Sequence, residues 1–163
     1  MLIGYLRVNP TDACTLPRVI RKEMHQLEED QVSAFLKEVQ GNPHEYLNKI
    51  ALFTGLREGE ILGLGWDHID LENGILTVKR QLRKEQKKGG QYYFSPPKNN
   101  RARTISLAPS VVMLFRLQKL AQNSMRMEAG DAWQENGLVF SNQTGGYLSY
   151  RTVYDCFKRI VKK

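Results

Sequence analysis

Residues 51–66 read A-L-F-T-G-L-R-E-G-E-I-L-G-L-G-W. Apolar, helix-like runs flank a glycine-bounded arginine, Arg57, with two glutamates close behind it. Placing a charge between two core-forming runs is costly unless it is paired or needed. Gly55 suits a helix C-terminus, and a new helix is predicted over 57–64. With Arg57 in its first turn, Glu60, Ile61 and Leu64 fall at i+3, i+4 and i+7 on the same face. The arginine stem then lies in the core, its head reaches the rim, and Glu60 can fix its rotamer. Two readings follow. Either the pair only staples two helices, or the guanidinium is held ready for an anion.

Working outward, the periodicity predicts a helix over 28–40 with Val32, Phe35, Leu36 and Val39 on one face, ended by Gly41. Asn42 is expected to cap the next helix and Pro43 to occupy its first position. Leu47, Ile50, Ala51 and Thr54 follow at helical spacing. Downstream, strands are predicted over 66–71, 75–82 and 104–107, with Glu72-Asn73-Gly74 as a hairpin turn. Residues 91–94 are positioned to pair back across a turn at 87–90, and Pro96-Pro97 marks loop. A long helix over 109–127 is expected to turn Val111, Leu114, Leu117, Leu120 and Ala121 inward. A short buried strand is predicted over 137–140 and a turn over 144–146. A last amphipathic helix, capped by Ser149, carries Tyr150, Val153, Tyr154, Phe157, Ile160 and Val161 on one face. The fold class is therefore α+β, mainly helical, with a small antiparallel three-stranded sheet. Residues 1–17, with two prolines and no periodicity, read as a linker from a preceding domain, leaving 18–163 as the folded unit.

The chain has 163 residues, 41% of them hydrophobic, enough for one domain with a real core. No apolar stretch approaches the ~18 residues of a membrane span, and no secretory signal pattern opens the chain. Two distant cysteines, Cys14 and Cys156, and three scattered histidines offer neither a disulfide framework nor a metal cluster. A reducing cytoplasm is the expected location. Neither a cofactor, a metal nor a small-molecule substrate is expected. The net charge of +7 is concentrated: Lys79 to Arg103 holds nine Lys/Arg against Glu85 alone, a charge of +8 that leaves the remainder at −1. Such a block fits a phosphate-backbone binder through Lys79, Lys87, Lys88, Arg101 and Arg103. A solvated hairpin fits it too. Lys98, in a proline-stiffened loop, can reach a phosphate or hand over a proton, or it is a plain surface lysine.

Three stretches taken together, T-G-L-R-E-G-E-I-L-G-L-G-W-D-H-I-D-L, I-L-T-V-K-R and P-P-K-N-N-R-A-R-T-I-S-L, resemble the catalytic domain of the tyrosine recombinases, the phage and transposon integrases. The likeness runs in register from about Leu27 to the end. It implies the front part of the catalytic domain of the DNA breaking-rejoining enzymes, with double-stranded DNA and other integrase protomers as partners. It also implies a metal-free phosphoryl transfer in which a tyrosine attacks the scissile phosphate. Fixed guanidinium groups stabilise the charge that develops on the non-bridging oxygens. By this resemblance Arg57 matches the first of the family's two arginines. Glu60 matches the acid that supports it, and Lys98 the lysine that protonates the leaving 5′-oxygen. The family also uses a His-x-x-Arg box and a nucleophilic tyrosine. Here His25, His44 and His68 are followed at i+3 by Glu28, Leu47 and Leu71, and no tyrosine stands in the matching place. The 163 residues are thus expected to bind DNA without cleaving it. A non-catalytic DNA-binding module of recombinase shape, or a functionless remnant that self-associates through its last helix, are the alternatives.

Overall fold

A computed structural model describes residues 9, 11, 14–15, 28–87, 89–98 and 100–162. The linker expected over 1–17 falls almost entirely outside the described residues, as do His25 and Lys88.

Helix α1, Glu29–Val39, opens on Glu28, whose N–H donates to the Gln31 side chain at 3.0 Å. Helix α2 spans Glu45–Thr54 and closes on Gly55, which adopts φ 63°, as its place in the sequence requires. Asn42 is not its cap. The Asn42 side-chain Oδ1 accepts the His44 N–H at 3.0 Å and the Cys156 thiol at 2.9 Å, so it closes a turn ahead of a helix that begins three residues later. Helix α3 is only Glu58–Leu62, and Arg57 stands before it as the N-cap, with φ −69° and ψ 153°. The expectation of Arg57 inside the first turn is corrected accordingly. Glu60 still lies three residues on, now at the third helical position.

The predicted strand at 66–71 contracts to β1, Ile69–Asp70, because residues Trp66–His68 form a single 3-10 turn. Strand β1 pairs antiparallel with β2, Ile75–Val78, around the Asp70–Gly74 turn, where the Asp70 carboxylate accepts the Glu72 and Asn73 N–H groups at 3.0 Å each. The strand expected over 75–82 is in fact two. After Val78 the chain breaks at Lys79 and Arg80. It resumes as β3, Gln81–Lys84, which forms a separate hairpin with β4, Tyr92–Ser95. Strand β5, Arg103–Ser106, returns beside β2 and gives the sheet order β1-β2-β5. Arg80 explains the break. Its Nε donates to the Gly63 carbonyl at 2.9 Å, and its guanidinium lies 4.0 Å from the centre of the Phe94 ring. That side chain therefore points at α3 rather than across the sheet.

Close approach of α3 to β3 depends on glycine. A Cβ on Gly63 would stand 2.6 Å from the Leu82 backbone nitrogen, and one on Gly59 3.1 Å from the Leu82 carbonyl oxygen. Ile61, Leu62, Leu76 and Leu82 are buried together where α3 meets the strands, and α2 and α4 complete the same core.

Helix α4, Pro109–Ala129, has its inward stripe at Val111, Phe115, Gln118 and Gln122. Leu117 and Leu120, expected to face inward, are exposed. The glutamines are inside because residues 137–140 are not a strand. Those residues join the rest of the fold through a single isolated bridge, Leu138 to Gly65, and leave carbonyls to satisfy. Gln118 Nε2 donates to the Val139 carbonyl at 2.9 Å and Gln122 Nε2 to the Leu138 carbonyl at 2.8 Å, while the Trp66 indole N–H donates to Gln122 at 2.7 Å.

Helix α5, Tyr150–Val161, follows Ser149 as expected and buries Val153, Cys156 and Ile160. Tyr154, Phe157 and Val161, from the same apolar stripe of the sequence, remain exposed. No helix of the described residues is long and apolar enough to cross a membrane.

Candidate functional site

Arg57, Glu60 and Arg103 converge where α3 begins beside β5. The arrangement starts from backbone geometry: as N-cap, Arg57 presents its own N–H to the Glu60 Oε2 at 2.9 Å, closing the first turn of α3. The same carboxylate accepts Arg57 Nη1 on Oε1 at 3.1 Å. From 43 residues away, Arg103 completes the group, with Nη1 on Oε1 and Nη2 on Oε2, both at 2.7 Å. This is a fork-to-fork guanidinium–carboxylate pair, the strongest geometry such ions adopt. Strand pairing fixes its position, since Arg103 stands opposite the buried Val78.

The Glu60 side chain is 1% exposed, whereas the Arg57 side chain is 60% exposed. A buried carboxylate would ordinarily resist ionisation. Here the hydrogen bonds from Arg103 hold it at about 2, against an ordinary value of 4.5, with the Arg57 N–H and guanidinium adding to the effect and burial opposing it. The Arg103 guanidinium is correspondingly held more firmly in its protonated form. Glu60 is therefore a permanent anion at neutral pH, and the trio carries a net charge of +1.

Lys98 is exposed, in a turn closed by the Asn100 N–H donating to the Pro97 carbonyl at 2.8 Å. The loop base is pinned, because Gln81 Nε2 donates to the Pro96 carbonyl at 2.6 Å and Pro97 is buried. Arg101 is exposed between that turn and β5, and Lys79 is exposed at the end of β2. Lys87, in the β3–β4 turn, lies 3.0 Å from Glu85. Arg103, grouped with Arg101 on charge alone, is turned onto Glu60 instead. Arg80, equally part of the basic block, is committed to Gly63 and Phe94. The adjacency of Gly63 and Arg80 was not readable from spacing. Tyr150 is likewise committed, its hydroxyl donating to the Leu82 carbonyl and its pKa pushed up to about 12, chiefly by burial. Among the described residues, no three His, Cys, Asp or Glu side chains come together as a metal-binding group.

Residues 25–163 match the phage integrase family. A tyrosine recombinase XerC-like protein of Caldanaerobacter subterraneus subsp. tengcongensis is 26% identical over 98% of this chain and 45% of its own length. An integrase of Streptomyces ambofaciens is 31% identical over 81% of this chain and 34% of its own. Among solved structures, the transposon Tn1549 integrase in complex with a circular intermediate DNA is similar at a TM-score of 0.67 and 25% identity. The match covers 96% of this chain and 49% of that one. The chain thus spans less than half the length of these relatives. An arginine-capped helix α3, the small antiparallel sheet beside it and the family match over residues 25–163 agree, and the chain belongs to the phage integrase family, the tyrosine recombinases.

Proposed function

We propose that residues 18–163 are the front part of an integrase catalytic domain, which grips double-stranded DNA at the phosphate where strands are cut and rejoined. The observation that carries this reading is the exposed Arg57 guanidinium, tethered through Nη1 to a buried carboxylate that a second arginine already neutralises. Fixed in advance, such a group loses little entropy on meeting a phosphate, and it favours the extra negative charge of a phosphoryl-transfer transition state. Lys98 protonates the departing 5′-oxygen, and Lys79, Lys87 and Arg101 contact flanking phosphates. In the complete reaction other integrase protomers join on the same DNA, which gives a DNA-associated, cytoplasmic protein.

In this reading no tyrosine of these 163 residues stands where the family's nucleophile does. They contain no His-x-x-Arg box, and the Tyr150 hydroxyl is occupied by Leu82. The chain by itself therefore binds duplex DNA reversibly and forms no phosphotyrosyl bond. Filter binding across a salt series, with a nicked suicide substrate in parallel, tests both statements. The expected result is binding whose logarithm falls linearly with log salt, by about 0.9 per phosphate contacted, and no covalent adduct on a denaturing gel. A covalent adduct removes the claim of incompleteness. Binding that is insensitive to salt, or to Lys98→Ala combined with Arg101→Ala, removes the DNA contact.

A further inference from the structure

The two guanidinium groups on Glu60 are not equivalent. Arg103 takes both carboxylate oxygens at 2.7 Å, whereas Arg57 reaches Oε1 alone, through one nitrogen at 3.1 Å. The bidentate pair cancels the carboxylate's charge. Arg57 is left as the surplus cation, and its side chain is 60% exposed against 38% for Arg103. Were Arg103 absent, Glu60 would have Arg57 as its sole cationic partner and could close on it with both oxygens.

We propose that Arg103 is a positioning residue: by occupying Glu60 it keeps the Arg57 charge uncompensated and its outward nitrogens open to a phosphate oxygen. This rests on Arg57 being a phosphate contact. It differs from a direct contact of Arg103 with DNA and from a mere staple between β5 and α3, and charge arithmetic separates the three. Removing Arg103 alone takes the trio from +1 to neutral. Removing Glu60 and Arg103 together restores +1, carried by Arg57.

The test uses this chain and duplex DNA, with the dissociation constant measured across about 0.05 to 0.2 M salt. Thermal unfolding of each variant runs alongside. Arg57→Gln sets the scale, a slope shallower by about 0.9 and affinity weaker by about tenfold. Arg103→Gln is expected to lose the same amount, with nothing further lost in Arg57→Gln/Arg103→Gln. Arg103→Lys, which keeps the charge, retains the slope, and Glu60→Gln/Arg103→Gln regains it. Losses that add in Arg57→Gln/Arg103→Gln, with no recovery in Glu60→Gln/Arg103→Gln, assign Arg103 a phosphate of its own and overturn the proposal. So does a lowered melting temperature in Arg103→Gln with an unchanged slope. If Arg57→Gln itself leaves the slope unaltered, the phosphate reading of Arg57 falls. The role of Arg103 is then decided without DNA, by phenylglyoxal labelling of Arg57 followed by mass spectrometry. Labelling slowed in Arg103→Gln and restored in Glu60→Gln/Arg103→Gln supports it, and labelling indifferent to Arg103 overturns it.

Discussion

Glu60 should make the stability of this fold depend on pH in a window that its geometry fixes. Its carboxyl titrates at about 2 in the folded chain, against an ordinary 4.5. A folded-state pKa depressed in this way contributes stability that is fully present above about 4.5 and is lost as pH falls towards 2. A shift of that size, at about 1.4 kcal/mol per unit, corresponds to roughly 3 kcal/mol. An independent route gives a similar figure, since removing one partner of a buried, hydrogen-bonded ion pair costs about 3–5 kcal/mol. The lower end is expected here because Arg103, with 38% of its side chain exposed, can turn to water when its partner is lost. Urea unfolding of the parent and of Glu60→Gln at a series of pH values from 7 to 2 measures the term directly. The variant should be less stable by about 3 kcal/mol at pH 7, with the gap closing between pH 4.5 and 2 as the parent's carboxyl becomes neutral. Carboxylates elsewhere titrate in both proteins and drop out of the difference. A gap of the same size at pH 7 and pH 2.5 would mean that Glu60 acts through shape rather than charge. A gap below about 1 kcal/mol would mean that the trio is worth no more than a surface pair. Either result refutes the account of the site.

Two further substitutions probe the platform under Arg57. Gly63→Ala sets a methyl 2.6 Å from the Leu82 nitrogen and 2.9 Å from the Gln81 carbonyl carbon, both backbone atoms that cannot rotate away. A loss of about 2–3 kcal/mol in urea unfolding is expected, and an unchanged midpoint would show that α3 does not lie against β3. Tyr150→Phe removes the hydroxyl donated to the Leu82 carbonyl. It should cost about 1 kcal/mol and leave DNA affinity unaltered, whereas weakened binding would place that hydroxyl at the DNA surface.

What the sequence made legible is local. The helix break at Gly55, the Arg57–Glu60 pairing three residues apart and the turn ending at Gly74 each depend on neighbours within a few positions, and each is present. The failures concern polar side chains whose partners are distant in the chain. Hydropathy marked Leu117 and Leu120 as the inner face of α4. It could not register that the irregular backbone at 138–139 needs donors, which Gln118 and Gln122 supply. The alternation over 75–82 looked like one strand because nothing local indicates that Arg80 is drawn to a carbonyl 17 residues earlier.

The same cause bears on the basic block, where counting charge overstates the hold on DNA. Arg80 is turned onto Gly63 and Phe94 and Arg103 onto Glu60, while Lys87 stays exposed but is partly offset by Glu85. Charges already compensated would release fewer counterions on meeting DNA, so the nine cations between Lys79 and Arg103 set a ceiling on that block's share of the salt slope rather than its value. Read this way, the block does two kinds of work. Lys79, Lys98 and Arg101 face solvent, where a phosphate backbone can reach them. Arg80 and Arg103 face inward, where they brace α3 at its C-terminal carbonyl and its buried acid. The helix that Arg57 opens is thus braced by cations drawn from the same basic segment proposed to meet DNA, which ties the rigidity of the site to the folding of the basic strands beside it.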